Sequence, residues 1–322
     1  MNTHVGDRPA RVDGLLLLNK PAGITSNQAL QKVKRLLKAK KAGHTGSLDP
    51  AATGMLPLCF GEATKVCAYL LDADKTYRVM ARLGVATDTA DADGKETETA
   101  DVPALDKADW EKILAGFLGE IAQVPPMYSA LKKDGKRLYE LARKGEVVDR
   151  EPRSVRVHDI NLIELSGKRL VFRVHCSKGT YVRTLVEDIA SAAGTVAHTA
   201  SLHRESVGDF CAEDMMDLPS AELVAENGPA ALRERLLPPD AALAAWPKRH
   251  IDEDAVDQFT GGRAVPVEAD GSADSSGHVR VYSSGSRVFL GVGELADYGT
   301  VLPRRIFRPA TENAAAGQGK KP

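Results

Sequence analysis

Apolar positions in the first third of the chain change their spacing between segments, and each spacing predicts a different element. Residues 14–18, Gly-Leu-Leu-Leu-Leu, form a short apolar run that is typical of a buried strand, and a turn follows at residues 19–21. Thr25 and Gln28 have the spacing of a capping box at a helix start. Helical spacing then links Ala29, Leu30, Val33, Leu36 and Leu37. The pattern predicts a strand and then an amphipathic helix that Gly43 ends.

The same reasoning assigns most of the remaining chain. The predicted strands are residues 55–60, 76–83, 155–163 and 170–177, and the predicted helices are residues 62–71, 107–119 and the segment after Gly179. Residues 86–104 are acidic and predict a loop. Residues 220–247 contain Pro238-Pro239 and Trp246-Pro247, which predict a linker. The chain is therefore expected to form an α/β (α+β) core around a mixed sheet, followed by a small β-rich domain.

The expected domain boundaries follow from these patterns. Residues 1–11 are polar and are expected to be flexible, and residues 12–247 form the main domain. A basic stretch at about 121–153 is expected to protrude from it. Residues 248–308 form the β-rich domain, and residues 309–322 are a polar, low-complexity tail that is expected to be disordered.

Charge alternates along the chain although the total is close to zero. The 322 residues contain 43 lysines and arginines against 44 aspartates and glutamates. Residues 1–48 and 129–183 each carry a net charge of +7, whereas residues 87–120 carry −7 and residues 184–249 carry −6. Alternating blocks indicate either ordinary solvated faces or local basic surfaces that meet an anionic partner. A total charge close to zero predicts weak non-specific binding to nucleic acid.

Composition excludes several classes of protein. No apolar run approaches the roughly 20 residues that a membrane helix needs. The four cysteines are scattered and form no C-x-x-C pair, and the first residues contain no apolar signal-peptide core. These features predict reduced thiols and a cytoplasmic protein. Histidines and cysteines do not cluster at metal-ligand spacing, and the phosphate-binding loop of nucleotide-binding proteins is absent from the sequence.

Asp49 is the strongest candidate for chemistry. It lies in an aperiodic segment, residues 43–54, between Gly46 and Gly54 and directly before Pro50. Proline restricts the residue before it, and glycine allows a ligand to approach the backbone. A rigidly held carboxylate suits nucleophilic or acid–base work. Asp-Pro is also a common turn pair, so residue type alone leaves a purely structural role open.

Other residues have two interpretations of the same kind. His44 suits either an anion or base contact or a local hydrogen bond, and Tyr77 suits either core packing or stacking on a base. Tyr181 and Arg183 fall at the start of a helix that follows a strand, where ligand-binding groups are frequent. An arginine there opposes the helix dipole, so Arg183 is expected to pair with a carboxylate or a phosphate. The three aspartates at positions 88, 91 and 93 resemble a cation loop but lack its final glutamate, and they are expected to be solvated.

Four motifs resemble the TruB-type bacterial tRNA pseudouridine synthases. They are Leu-Leu-Asn-Lys-Pro-Ala-Gly-Ile-Thr-Ser at 17–26, Ala-Gly-His-Thr-Gly-Ser-Leu-Asp-Pro-Ala-Ala-Thr-Gly-Met-Leu-Pro at 42–57, Asp-Lys-Thr-Tyr-Arg at 74–78 and Ser-Lys-Gly-Thr-Tyr-Val-Arg-Thr-Leu at 177–185. The resemblance spans roughly residues 13–308, and the second motif is long and specific. The C-terminal module resembles the PUA-like RNA-binding domain of the family more weakly.

The resemblance implies an activity and a set of site residues. The family isomerises uridine 55 in the T loop of tRNA to pseudouridine and uses no cofactor and no metal. It implies that Asp49 is the nucleophile, that Arg183 pairs with it, and that Tyr77 stacks on the flipped-out base and contributes to proton removal. It also places His44, Tyr181 and Leu202 in the uridine pocket. An arginine beside Asp49 is expected to lower the pKa of its carboxyl and keep it ionised.

The resemblance also implies that the partner is the T arm of tRNA. It further implies that the protein is a monomer that needs no obligate protein partner. The segment 121–153 corresponds to the family's insertion that clamps the T loop. The predicted RNA contacts are Lys20, Lys132, Lys133, Lys136, Arg137 and Arg143.

The sequence leaves three alternatives to this activity. A retaining glycosidase would need two carboxylates about 5 Å apart, and the loop that carries Asp49 offers one. A non-catalytic RNA-binding or tRNA-folding module would use the basic helix at 26–42 and the segment 129–153. A guide-RNA-dependent enzyme would work in a ribonucleoprotein, and the long basic insertion favours the stand-alone type.

Overall fold

The computed structural model describes residues 11–129, 131–133, 135–142, 144–267, 277–296 and 299–308. The expected flexible start, apart from Arg11, and the whole of the expected disordered tail, residues 309–322, lie outside these ranges. Within them, no helix is long and apolar enough to cross a membrane.

Strands and helices alternate through the main domain. The strands are β1 (Gly14–Lys20), β2 (Ala42–His44), β3 (Thr53–Phe60), β4 (Lys75–Leu83), β5 (Val85–Thr87), β6 (Glu96–Thr99), β7 (Gly119–Gln123), β8 (Lys132–Lys133), β9 (Lys136–Arg137), β10 (Arg153–Ser166), β11 (Arg169–Cys176), β12 (Ala197–Val207) and β13 (Met216–Asp217). The helices are α1 (Ser26–Leu36), α2 (Cys67–Asp72), α3 (Lys107–Ala115), α4 (Leu138–Ala142), α5 (Val182–Ala192), α6 (Leu218–Glu226) and α7 (Pro229–Arg233). Short 3-10 helices cover Gly61–Val66, Ala212–Asp214 and Pro239–Leu243.

One large mixed sheet organises the main domain. Its strands lie in the order β13, β1, β3, β12, β4, β11, β10 and β7, and β2 pairs with β3. The pairs β1–β13 and β3–β12 are parallel, whereas the other neighbours are antiparallel. The expected mixed α/β core is therefore confirmed. β4 lies beside both β11 and β12, and this register brings Tyr77 opposite Val174 and Arg204.

Apolar side chains fill the space between this sheet and the helices. One cluster joins β4, β10 and β11 to α3 and α5 and includes the buried Trp110 and Phe172. Another joins β1 and β3 to α1, α6 and α7. Adjacent residues of a strand point to opposite faces of its sheet, and Leu15 and Leu16 accordingly belong to different clusters. Both faces of the sheet are thus covered.

The C-terminal domain is a second, smaller β structure. It comprises β14 (Lys248–Ile251), α8 (Glu253–Thr260), β15 (Val265–Pro266), β16 (His278–Ser283), β17 (Phe289–Ala296) and β18 (Thr300–Ile306). The five strands form one sheet in the order β14, β16, β17, β18 and β15. Its own apolar cluster includes Phe259 of α8. The expected small β-rich domain is confirmed.

Several predicted boundaries were wrong. The linker predicted at 220–247 contains most of α6, all of α7 and a 3-10 helix, because Pro219 and Pro229 stand in the first turns of helices, where proline is tolerated. The helix predicted at 107–119 ends at Ala115, since Gly116 caps it and β7 begins at Gly119. The acidic loop contains the β5–β6 hairpin. The capping box at Thr25 and Gln28 is confirmed, although α1 ends at Leu36, well before Gly43.

Candidate active site

The loop that contains Asp49 connects β2 to β3, and hydrogen bonds hold the residues on both sides of the aspartate. The Ser26 hydroxyl accepts a hydrogen bond from the Leu48 N–H (2.8 Å) and lies 3.0 Å from the Leu48 carbonyl oxygen. The Pro50 carbonyl accepts the Gly23 N–H at 2.9 Å. Residues 48 and 50 are therefore anchored to the start of α1, and Asp49 is held between them. Sequence reasoning found Asp49 but missed Ser26, which the capping-box pattern placed only as a helix start.

Lys20 is buried inside the protein, so its prediction as an exposed RNA contact was wrong. Its residue is 0% exposed, and Nζ donates to the carbonyls of Pro21, Ile24 and Pro50 at 2.7, 2.8 and 3.2 Å. Burial lowers the pKa of Lys20 to about 8, against the opposing effect of Asp49. The ammonium group binds backbone carbonyls inside the protein, and it thereby fixes the turn at 21–24 against the Asp49 loop.

Arg183 reaches Asp49 from the first turn of α5. Its Nε lies 3.1 Å from Oδ2 of Asp49, and its side chain is only 7% exposed. The Nη2 atom donates to the Tyr128 carbonyl at 2.7 Å, and Nη1 donates to the Thr89 carbonyl at 2.8 Å. The expected pairing of Arg183 with a carboxylate is confirmed. Because the other nitrogens are also held, the guanidinium has a fixed orientation toward Asp49.

Asp91 is a second carboxylate on the same guanidinium, and the expectation that it is solvated was wrong. Its Oδ2 lies 3.3 Å from Nη1 of Arg183, and its side chain is 15% exposed. The other oxygen, Oδ1, accepts the Thr89 hydroxyl at 2.5 Å and the Asp93 N–H at 3.1 Å. The acidic hairpin loop folds back onto α5, so the local pattern of charges gave no signal of this contact.

The electrostatics of Asp49 differ from the expectation. Its carboxylate is 45% exposed, yet protein atoms enclose the other sides, and this loss of hydration raises its pKa above the ordinary value. Arg183 and Lys20 act in the opposite direction, whereas Asp91 and Asp93 add to the rise. Arg183 thus lowers the pKa of Asp49 as expected, but desolvation outweighs the arginine and the net shift is upward.

Tyr77 and His44 meet around a third buried cation, Arg204. Arg204 donates to the carbonyls of Met55 (2.7 Å) and Gly46 (2.8 Å), and it also lies beside the Tyr77 hydroxyl. Burial raises the pKa of Tyr77 and lowers that of His44, and Arg204 lowers both. The Nδ1 atom of His44 is buried and has no hydrogen-bond partner among the described residues. Arg204 therefore supports both ends of the 46–55 segment, and sequence reasoning had not singled it out.

Leu202 and Tyr181 complete the set of predicted pocket residues. Leu202 is partly buried on β12 opposite Val79, and it packs on the same apolar cluster as Tyr77. Tyr181 stands at the N-cap position of α5. Burial raises the pKa of Tyr181, and both Arg183 and Asp49 are close enough to act on it. The structure thus gathers Asp49, Arg183, Tyr181 and Tyr77 around one site.

The basic insertion is described only in part. Lys136 is exposed, as expected of an RNA contact, and Tyr128 touches the site through its carbonyl. Arg143 and the side chains of Lys132, Lys133 and Arg137 lie outside what the structure describes. Both ends of the insertion are held, since β7 pairs with β10 and Arg150 donates to the Pro125 carbonyl at 3.0 Å.

Family models match nearly the whole chain. Residues 34–182 match the TruB family pseudouridylate synthase N-terminal domain, and residues 183–244 match the tRNA pseudouridylate synthase B C-terminal domain. Residues 247–307 match the model described as pseudouridine synthase II TruB, C-terminal. The tRNA pseudouridine synthase B of Nitrosococcus oceani is 50% identical over 296 residues, which are 92% of this chain and 95% of that protein. The protein of the same name from Pseudomonas aeruginosa is 50% identical over 92% of this chain and 96% of its own length.

Solved structures share the fold at lower identity. A chain in a Cbf5-Nop10-Gar1 complex is 26% identical with a TM-score of 0.71, and the match covers 96% of this chain and 91% of that one. A chain in an H/ACA ribonucleoprotein bound to a substrate RNA containing 2′-deoxyuridine is 25% identical with a TM-score of 0.69, covering 92% of this chain and 85% of that one.

Proposed function

Since the chain belongs to the TruB family of pseudouridylate synthases, we propose that it isomerises a uridine in the T arm of tRNA, at position 55, to pseudouridine. Relatives that are about 50% identical over 92% of the chain carry the name tRNA pseudouridine synthase B. The observation that carries the proposal for this chain is the ion pair of Asp49 with Arg183, in a loop that Ser26 and Lys20 hold in place.

Asp49 is the proposed nucleophile. Its carboxylate assists cleavage of the bond between C1′ of the ribose and N1 of uracil, after which the base turns and C5 bonds to C1′. The proton on C5 leaves and N1 takes one up, so the product has the mass of the substrate. The raised pKa of Asp49 makes the carboxylate a stronger nucleophile than an ordinary aspartate once it is ionised. Arg183 orients the carboxylate and balances its charge.

Tyr77, Tyr181, His44 and Leu202 form the proposed uridine pocket. A base inside a folded loop is not accessible, so the target must be flipped out into the site. Tyr77 offers a ring for stacking, and its hydroxyl lies beside Arg204. We assign Tyr77 a contribution to removal of the C5 proton, which a phenolate oxygen would accept. Arg204 favours that phenolate, against the burial that raises the pKa of Tyr77. His44 is half-buried beside this pocket.

We assign catalysis and RNA binding to different parts of the chain. Residues 12–247 catalyse the reaction, and the insertion at about 121–153 clamps the T loop through Lys136 and the basic side chains around it. Residues 248–308 form a PUA-like RNA-binding domain. The protein acts as a monomer in the cytoplasm and needs no guide RNA. The two solved neighbours belong to complexes with partner proteins, whereas the relatives with higher identity are tRNA pseudouridine synthases.

Product mapping on a bare T-arm transcript tests the proposal. The purified chain is incubated with the transcript alone, and carbodiimide-dependent primer extension then locates pseudouridine. A stop at position 55, and its loss in a transcript with cytidine there, is the expected result. Release of free uracil would instead support the glycosidase, and an unchanged transcript would support the non-catalytic RNA-binding module. Activity that appears only after a guide RNA is added would contradict stand-alone action.

A further inference from the structure

We propose that Gln123 is a positioning residue that sets the start of α5, and with it Tyr181 and Arg183, for the isomerisation. Gln123 is the last residue of β7, where the chain leaves the sheet to form the insertion. The residue is 2% exposed. A buried primary amide must find partners for both its oxygen and its nitrogen, and the identity of those partners indicates its role.

Both partners of the Gln123 amide are backbone groups of Tyr181. Oε1 accepts the Tyr181 N–H at 3.0 Å, and Nε2 donates to the Tyr181 carbonyl at 3.3 Å. The side chain therefore binds the residue as a neighbouring strand would, and it restrains the backbone on both sides of the Tyr181 side chain. The Tyr181 carbonyl also accepts the Leu185 N–H at 3.0 Å, which is the first hydrogen bond of α5.

The N-terminus of α5 lacks the usual capping hydrogen bond from the side chain of its N-cap residue. Tyr181 is the N-cap residue, with φ −93° and ψ 104°, and no side chain of its own caps the helix. Arg183 follows two residues later and carries the contacts to Asp49, Asp91 and the Tyr128 carbonyl. A small rotation of the backbone at residue 181 would move both the Tyr181 ring and the guanidinium. Displacement of a catalytic group by about 1 Å costs on the order of 100-fold in rate.

Gln123 also joins the insertion to the site. The segment that follows it contains Tyr128, whose carbonyl accepts from Arg183 at 2.7 Å. The base of the insertion thus contacts α5 twice, through the Gln123 amide on the Tyr181 backbone and through the Tyr128 carbonyl on Arg183. Loss of the amide is expected to slow the chemical step more than it weakens RNA binding, because the exposed basic side chains of the insertion remain.

The test compares two variants of Gln123 with a matched control. Gln123→Met keeps the length of the side chain and removes both hydrogen bonds. Thr195→Val removes another buried polar group, three residues after the end of α5, whose hydroxyl has no hydrogen-bond partner among the described residues. Single-turnover tritium release from a T-arm transcript labelled at C5 of uridine gives the rate of the chemical step. Filter binding in the Asp49→Asn background gives the RNA affinity without turnover.

The expected result is a rate about 10–100-fold lower for Q123M, with a Kd within about threefold of the parent and a wild-type rate for T195V. A wild-type rate for Q123M, or a loss that appears only in Kd, would overturn the role of Gln123. The inference rests on the proposed function. A wild-type chain that releases no tritium would refute that function, whereas an active wild type with an equally active Q123M refutes only this inference.

Gln123→Glu supplies a readout that a purely structural role would not change, and it remains decisive if Q123M folds poorly. An ionised carboxylate can accept the Tyr181 N–H but places an oxygen against the Tyr181 carbonyl. A protonated carboxyl accepts and donates as the amide does. The ratio of Q123E to wild-type rate is therefore expected to rise as the pH falls from about 8 to 5, since burial raises the pKa of such a carboxyl. A ratio that is flat or falls with decreasing pH would contradict the inference.

Discussion

The Nε atom of Arg183 lies 3.1 Å from Oδ2 of Asp49, so the guanidinium meets this carboxylate with one nitrogen and keeps the others for different partners. Nη1 contacts Asp91 and the Thr89 carbonyl, and Nη2 contacts the Tyr128 carbonyl. Three segments that are far apart in the sequence therefore converge on one side chain. The orientation of Asp49 depends on all of them.

Arg183→Lys is expected to lose most of the activity although it keeps the positive charge. A lysine ammonium cannot replace the planar fork that reaches Asp49, Asp91 and two carbonyl groups at once. We expect the single-turnover rate to fall about 100-fold or more, with the Kd for a T-arm transcript changed by less than about threefold. A rate within a few-fold of wild type would mean that charge, and not geometry, is what Arg183 supplies.

Asp91→Asn is expected to lower the rate about 10-fold or more, because Arg183 loses its second carboxylate. Asp93→Asn is the matched control. It removes the same charge from the same loop, but the Asp93 side chain is exposed and only its backbone N–H contacts Asp91. The rate of D93N is expected to stay within about twofold of wild type. Equal losses in the two variants would contradict a specific role for Asp91.

The electrostatics of Asp49 also predict how Asp91→Asn changes the pH dependence of the single-turnover rate. We expect the rate to rise with pH as Asp49 ionises, at a pH above the ordinary range of an aspartate, because desolvation raises the pKa of Asp49. Asp91 adds to that rise, so D91N is expected to move the acidic limb of the single-turnover pH profile to lower pH. A shift to higher pH would contradict the electrostatic account.

Gly54→Ala is expected to destabilise the protein far more than Gly179→Ala. Both glycines have positive φ, +100° and +82°, so a side chain at either position costs about 1–3 kcal/mol in backbone strain. A Cβ at Gly54 would also lie 2.3 Å from the backbone oxygen of Arg204, whereas a Cβ at Gly179 meets nothing within 4 Å. We expect an additional loss of about 1–3 kcal/mol for G54A in urea unfolding. Equal free energies of unfolding for G54A and G179A would show that the backbone of β12 at Arg204 moves aside at little cost.

Glu187→Gln is expected to raise the melting temperature at pH 8 and to have little effect below pH 4.5. Burial, together with Asp188, raises the pKa of Glu187 to about 7, whereas the unfolded chain has the ordinary value of 4.5. The folded state thus holds the proton more tightly, and stability is lost as the pH rises from 4.5 through 7. Thermal unfolding of E187Q at both pH values checks this, with the exposed helical residue Glu222→Gln as control. An equal effect at both pH values would refute it.

The sequence was informative about elements and motifs because both are local. The capping box at Thr25, the strand of Tyr77 and the helix of Arg183 follow from spacing alone. The family resemblance supplied the pairing of Asp49 with Arg183, which no local pattern contains. The sign of the Asp49 pKa was not predictable, since it depends on how much protein surrounds the carboxylate.

What sequence reasoning missed depends on contacts between distant segments. Lys20 resembles any surface lysine until the carbonyls of Ile24 and Pro50 are seen around its ammonium. Asp91 stands in an acidic stretch that is typical of a solvated loop, and only the fold places it on Arg183. Gln123 has no unusual neighbours in the sequence. Buried polar residues gain their roles from partners that the tertiary structure supplies.

Asp49→Asn tests the central claim most directly. The variant keeps the size of the side chain and removes the proposed nucleophile, so the proposed pocket and the basic surfaces remain for RNA. Single-turnover tritium release from a C5-labelled T-arm transcript, measured beside filter binding, separates the two properties. The account predicts binding within about threefold of wild type and no pseudouridine at position 55, whereas pseudouridine formation by D49N at a rate close to wild type would contradict it.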